Sequence, residues 1–143
     1  MLHTDDRWAI NETLSLHGHI FDGGHLDRLD EIFTPEVVYD MSAVGVGTLQ
    51  GIAMVHDGVQ KMEDAGVGPL AHHVTNVVIT SEEDDVAIAE SKILMLMKNG
   101  GLESATQLDT LRRHSGGWRI SHRIISPLHP VSNGPGGAYA DER

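Results

Sequence analysis

Cysteine is missing from all 143 residues, which excludes disulfides, thiolate nucleophiles and thiolate metal sites and fits a cytoplasmic protein. Basic residues are scarce, with ten Lys and Arg against 21 Asp and Glu and a formal charge of −11. A surface that acidic repels phosphate backbones and anionic headgroups, so neither nucleic acid nor membrane is expected as a partner. No apolar run reaches the roughly 18 residues of a spanning helix, and the acidic start Met1-Leu2-His3-Thr4-Asp5-Asp6-Arg7 lacks the order of a signal peptide. Gly-x-Ser-x-Gly, P-loop, dinucleotide and His-Glu-x-x-His patterns are all missing. The ten histidines do not supply a metal set either. His17 and His19 are two apart on a helix and His72 and His73 are adjacent, so neither pair shares a face. No metal and no cofactor are expected.

What is present reads as one domain over residues 1–127 with a tail over 128–143. That tail, rich in Pro and Gly, is expected to be mobile or to reach a neighbouring subunit. The hydrophobic fraction of 40% is ordinary for a globular chain of this length. Residues 5–21 predict a helix capped by Thr4 or Asp5, with Ile10, Leu14, Leu16, Ile20 and Phe21 on one arc and His17 in its middle. Asp22-Gly23-Gly24 stops it. A short helix is predicted over 25–33, ended by Pro35, a strand over 37–41, and a third helix over 51–65.

Everything after Pro69 predicts antiparallel sheet. Strands are expected over 73–80, 86–98, 102–114 and 118–126, with a hairpin signal at Asn99-Gly100-Gly101. Helices early and long strands late imply α+β, with a strongly curved sheet and three helices enclosing a cone-shaped cavity. The pocket lining expected from periodicity is Leu14, Phe33, Met54, Met62, Leu94 and Leu108.

Three stretches carry a resemblance to a known family. They are Phe21-Asp22-Gly23-Gly24-His25-Leu26-Asp27-Arg28-Leu29, then His72-His73-Val74-Thr75-Asn76, then Gly117-Trp118-Arg119-Ile120-Ser121-His122-Arg123. In order and spacing they resemble the SnoaL-like and scytalone-dehydratase-like branch of the nuclear-transport-factor-like superfamily, which also holds ketosteroid isomerase. The first is similar to that branch's helix junction, the second to its H-x-x-T-N strand start, the third to its closing G-x-W-x-I/F strand ending in arginine. The resemblance implies an Asp–His dyad inside the cone, here Asp22 and His73, with His73 as the inward member of its pair. It places Arg123 at the arginine of the last strand, His17 at a helix position that assists a leaving group, and Tyr39 at a water-holding tyrosine. The second active-site histidine of scytalone dehydratase has no counterpart in Gly101-Leu102-Glu103-Ser104-Ala105, so scytalone itself is not the expected substrate.

The residue types suit the chemistry. A neutral imidazole titrates close to working pH, and a carboxylate on its Nδ1–H fixes the tautomer and stabilises the imidazolium. Each residue also has a plainer reading. Asp22 before two glycines is a turn residue, and the inward histidine of the 72–73 pair is a hydrogen-bonded core group. His17 either caps a core hydrogen bond or lines the cavity. Arg123 either faces the cavity or forms an ion pair at an edge, with His122 as its alternate-face neighbour.

The expected function is a cofactor-independent lyase, a dehydratase or related elimination on a small hydrophobic cyclic molecule. His73, Asp22, Arg123 and His17 are its expected catalytic residues, and Tyr39, Phe33 and Leu108 its binding residues. The alternatives are an isomerase or cyclase of the ketosteroid-isomerase or SnoaL type, and a non-catalytic ligand-binding module. A homo-oligomer is expected, a trimer ahead of a dimer.

Overall fold

The computed structural model describes residues 1–128. Helix α1 (Thr4–Asp22) leads through a 3-10 helix (Leu26–Glu31) into β1 (Phe33–Met41), and β2 (Gly47–Gln50) follows. Helix α2 (Ile52–Asp64) then precedes four long strands, β3 (Pro69–Glu82), β4 (Val86–Met97), β5 (Leu102–His114) and β6 (Gly117–Pro127). The strand order is β2-β1-β6-β5-β4-β3, antiparallel throughout except for the parallel β1–β6 pair. This is the curved α+β sheet expected. The helix expected over 25–33 is a 3-10 helix, and the strand expected over 37–41 begins at Phe33, ahead of Pro35. Pro35 is tolerated because it falls where the β1–β6 register shifts and no ladder donor is needed. Strand β2 carries too short an apolar signal to be read in advance. The tail expected over 128–143 lies, beyond Leu128, outside the described residues.

Bulges give the sheet its curve. In β3 the register slips at three points, and Asn76 occupies one of them at φ +55°, a conformation that Asn adopts more readily than most residues. Strand β6 carries another. Leu111 pairs with Ile120 but Thr110 with His122, which leaves Ser121 as the extra residue. Trp118 and Ile120 point inward before the bulge, Arg123 and Ile125 after it.

Helix α1 closes one side of the cone. Its start is held by Asp6, which accepts from the His3 backbone (3.1 Å), Trp118 Nε1 (3.1 Å) and Arg113 Nη1 (2.7 Å). The cap is therefore His3, ahead of the expected Thr4 or Asp5. Its buried stripe is Ile10, Thr13, Leu14, His17, Gly18 and Ile20. The helix ends in a Schellman arrangement, with Gly24 at φ +68° and the His25 N–H donating to the Ile20 carbonyl at 2.9 Å. Among the described residues no helix is long and apolar enough to cross a membrane.

Beneath the cone Arg123 and Asp109 form a bidentate ion pair, Nε to Oδ1 at 2.7 Å and Nη2 to Oδ2 at 2.9 Å, with both side chains fully buried. Deleting one partner of such a pair leaves a charge stranded in the core. Asp109→Ala should cost about 3–5 kcal/mol in urea unfolding, whereas Asp109→Leu combined with Arg123→Met should recover most of that loss. A single variant as stable as the parent would show that the pair does not carry the core.

Candidate active site

Gly18 sets the position of α1. A Cβ built on it would lie 2.6 Å from the His72 carbonyl oxygen, so only glycine lets the helix pack this closely on β3. One turn later Asp22, the last residue of α1, reaches the same strand. Its Oδ2 accepts from the His72 backbone N–H at 3.0 Å, and its Oδ1 lies 2.6 Å from His72 Nδ1. The Asp22 side chain is 28% exposed and that of His72 13%. His72 lines the cavity and Asp22 stands behind it.

The histidine is therefore His72 and not His73. Alternation along β3 turns His72 and Val74 inward, and His73 faces out with Thr75. Counted back from Thr75-Asn76, the H-x-x-T-N spacing itself falls on His72.

The cavity encloses about 520 Å³, within the usual range for small-molecule sites. Met62 lines it as expected, and so does Tyr39. Phe33 and Leu14 are buried in the core behind the wall, while Met54, Leu94 and Leu108 are exposed. On β4 and β5 the lining comes instead from Ile93 and Met95, and from Ala105 and Gln107. Both strands carry apolar side chains on both faces, so their period of two does not reveal which face is inward.

His17 does not reach the cavity wall. It is buried under Phe21, whose ring stacks on it at 3.9 Å, and its ring centroid is 5.4 Å from that of His72. Burial, then the Arg123 charge and then His72 push its pKa well below the ordinary 6.5, so it is neutral. Arg123 is likewise beneath the wall. Its guanidinium lies 5.7 Å from the centre of the Tyr39 ring. Burial raises the Tyr39 pKa, against the opposing pull of Arg123, so the phenol stays protonated. His122 is exposed. Among the described residues no three His, Asp or Glu side chains gather closely enough to hold a cation.

Sequence reasoning passed over two residues that shape this site. A glycine inside a helical pattern is a signal of close packing, and Gly18 is one. Gln107 gave no signal beyond being polar in a strand of mixed character.

Residues 3–124 match the family described as the SnoaL-like domain. The chain belongs to the SnoaL-like domain family. This SnoaL-like domain is similar in fold to a provisionally named aromatic ring hydroxylase from Novosphingobium aromaticivorans, with 24% identity, a TM-score of 0.76, and 92% of this chain and 95% of that one covered. A second protein of that organism, described as NTF2-like with a cystatin-like fold, shows 22% identity, a TM-score of 0.71, and coverage of 90% and 85%. A structure from Catenulispora acidiphila in complex with S-DNPA shows 19% identity, a TM-score of 0.74, and coverage of 87% and 95%. No curated protein matches the sequence.

The neutral state of His17 has a measurable consequence. The unfolded chain takes up a proton on this residue that the folded chain refuses. Stability is therefore full above about pH 6.5 and falls as the pH drops from there toward the lowered folded value, by up to about 1.4 kcal/mol per pH unit. His17→Leu should flatten that fall in urea unfolding between about pH 7 and about pH 5. An unchanged slope would contradict a neutral buried His17.

Proposed function

We propose that this SnoaL-like domain is a cofactor-independent lyase in which His72 removes a carbon-bound proton from a small hydrophobic ring compound. The observation that carries this reading is the Asp22–His72 contact at the wall of an apolar cavity. Asp22 on Nδ1 fixes the tautomer that leaves Nε2 as the base, and its charge stabilises the imidazolium that forms. The proton then resides on Nε2, the C–H electron pair forms the new double bond, and the β-substituent departs. Tyr39, protonated and on the wall, is the donor for that departing group.

One observation favours a second reading. Of the three polar groups that the resemblance adds to the dyad, His17 and Arg123 lie behind the wall and Tyr39 alone reaches it. With fewer donors for a leaving group, the same base serves an isomerase or cyclase that returns the proton to another carbon. Turnover in D₂O separates the two, since isomerisation incorporates deuterium without loss of a group.

A base contributes about 10²–10⁴-fold to turnover. His72→Ala and Asp22→Asn should each lower kcat by about that much with KM little changed, and His73→Ala should act like the parent. These variants would be assayed against compact cyclic ketones and hydroxyketones. Full activity in His72→Ala would overturn both readings, whereas binding without turnover in the parent would favour a binding module.

We also propose that the domain acts as a homo-oligomer, a trimer ahead of a dimer. Val78, Leu94 and Leu108 are exposed on the outer face of the sheet, where association would cover them. Static light scattering should give a multimer at micromolar concentration, and a monomer would refute this.

A further inference from the structure

Three buried side-chain nitrogens have no hydrogen-bond partner among the described residues: His17 Nε2, Arg123 Nη1 and Gln107 Nε2. Only Gln107 belongs to a side chain on the cavity wall. It lies in the middle of β5, on the inner face between Ala105 and Asp109, and is 1% exposed. Directly across the ladder is Ser91 of β4, whose hydroxyl donates to Gln107 Oε1 at 3.3 Å. The amide carbonyl is thus engaged, and its two N–H groups are left without an acceptor. The wall beside it is built from Ile93, Ala105 and Ile125, which offer none. Buried donors in folded proteins are nearly always satisfied, so an unpaired one beside a ligand-sized cavity points to a ligand atom.

We propose that Gln107 determines specificity by donating from its amide to a carbonyl oxygen of the bound ring compound, so that the cavity selects a cyclic ketone over the matching hydrocarbon. This rests on reading the cavity as the substrate site, though not on the identity of the base. A carbonyl also suits the chemistry of His72. It acidifies the adjacent C–H, and when that bond breaks the electron pair moves onto the oxygen that Gln107 holds. A fixed donor at the place where charge develops stabilises the resulting enolate.

The test is binding to the full chain, measured by calorimetry with 1-tetralone and with tetralin, which has the same rings without the oxygen. Gln107→Met preserves length and removes the donor. It should weaken 1-tetralone by about tenfold and change tetralin by less than about threefold. The infrared carbonyl band of bound ¹³C=O tetralone should move to higher wavenumber in the variant, a signature that altered shape alone would not give. Equal affinity of parent and variant for 1-tetralone, with an unmoved band, would overturn the proposal. So would equal weakening of both probes, which assigns Gln107 to the shape of the floor, or failure of the parent to bind 1-tetralone. No turnover is involved, so a fully active His72→Ala would leave the result standing.

Discussion

The buried Arg123–Asp109 pair is the constraint around which the lower half of the cone is organised. Two charges taken out of water are tolerated only when they meet in good geometry, and here that requires β5 and β6 to present position 109 opposite 123 on the inner face. The bulge at Ser121 makes this possible, because without the extra residue Arg123 would follow the parity of Ser121 and turn outward. The same guanidinium approaches Tyr39 and contributes to keeping His17 uncharged. One ion pair thereby acts on groups of two further elements, Tyr39 of β1 and His17 of α1.

Above that floor the cavity is mostly apolar, and three of its polar groups come from three different strands. His72 comes from β3, Tyr39 from β1 and Gln107 from β5, and each is delivered by a different part of the curved sheet. The helix contributes Asp22 from its last turn and so orients the imidazole from outside the cavity. An apolar wall with a small number of placed polar groups is the usual make-up of a small-molecule site.

Much of this fold was legible in residue order. The hairpin signal at Asn99-Gly100-Gly101 marked the turn between β4 and β5, and the glycines after Asp22 marked the end of α1 where the structure has it. What local patterns could not supply was parity. Strands with apolar residues on both faces, such as β4, do not announce which side is inward, and the expected lining residues Leu94 and Leu108 face outward. The bulge in β6 inverted the phase for Arg123, and no turn residue flags it. Asp22 and its histidine partner were legible as a pair of elements, but adjacent histidines differ only in facing, and His72 is the one that faces inward. Gly18 and Gln107 matter through contacts made across the fold, and neither belongs to any short motif.

The close passage of α1 over β3 means that the Asp22–His72 geometry is encoded partly by something absent. Where position 18 meets the His72 carbonyl there is no room for a single methyl group. Alanine there would favour the isolated helix and yet lift it off the strand, separating two side chains that were themselves untouched. A lineage could retain both residues of the dyad and still lose their contact through one added carbon atom. In sequences related to this one, a small residue at that helix position is therefore as informative about an intact site as the dyad residues are.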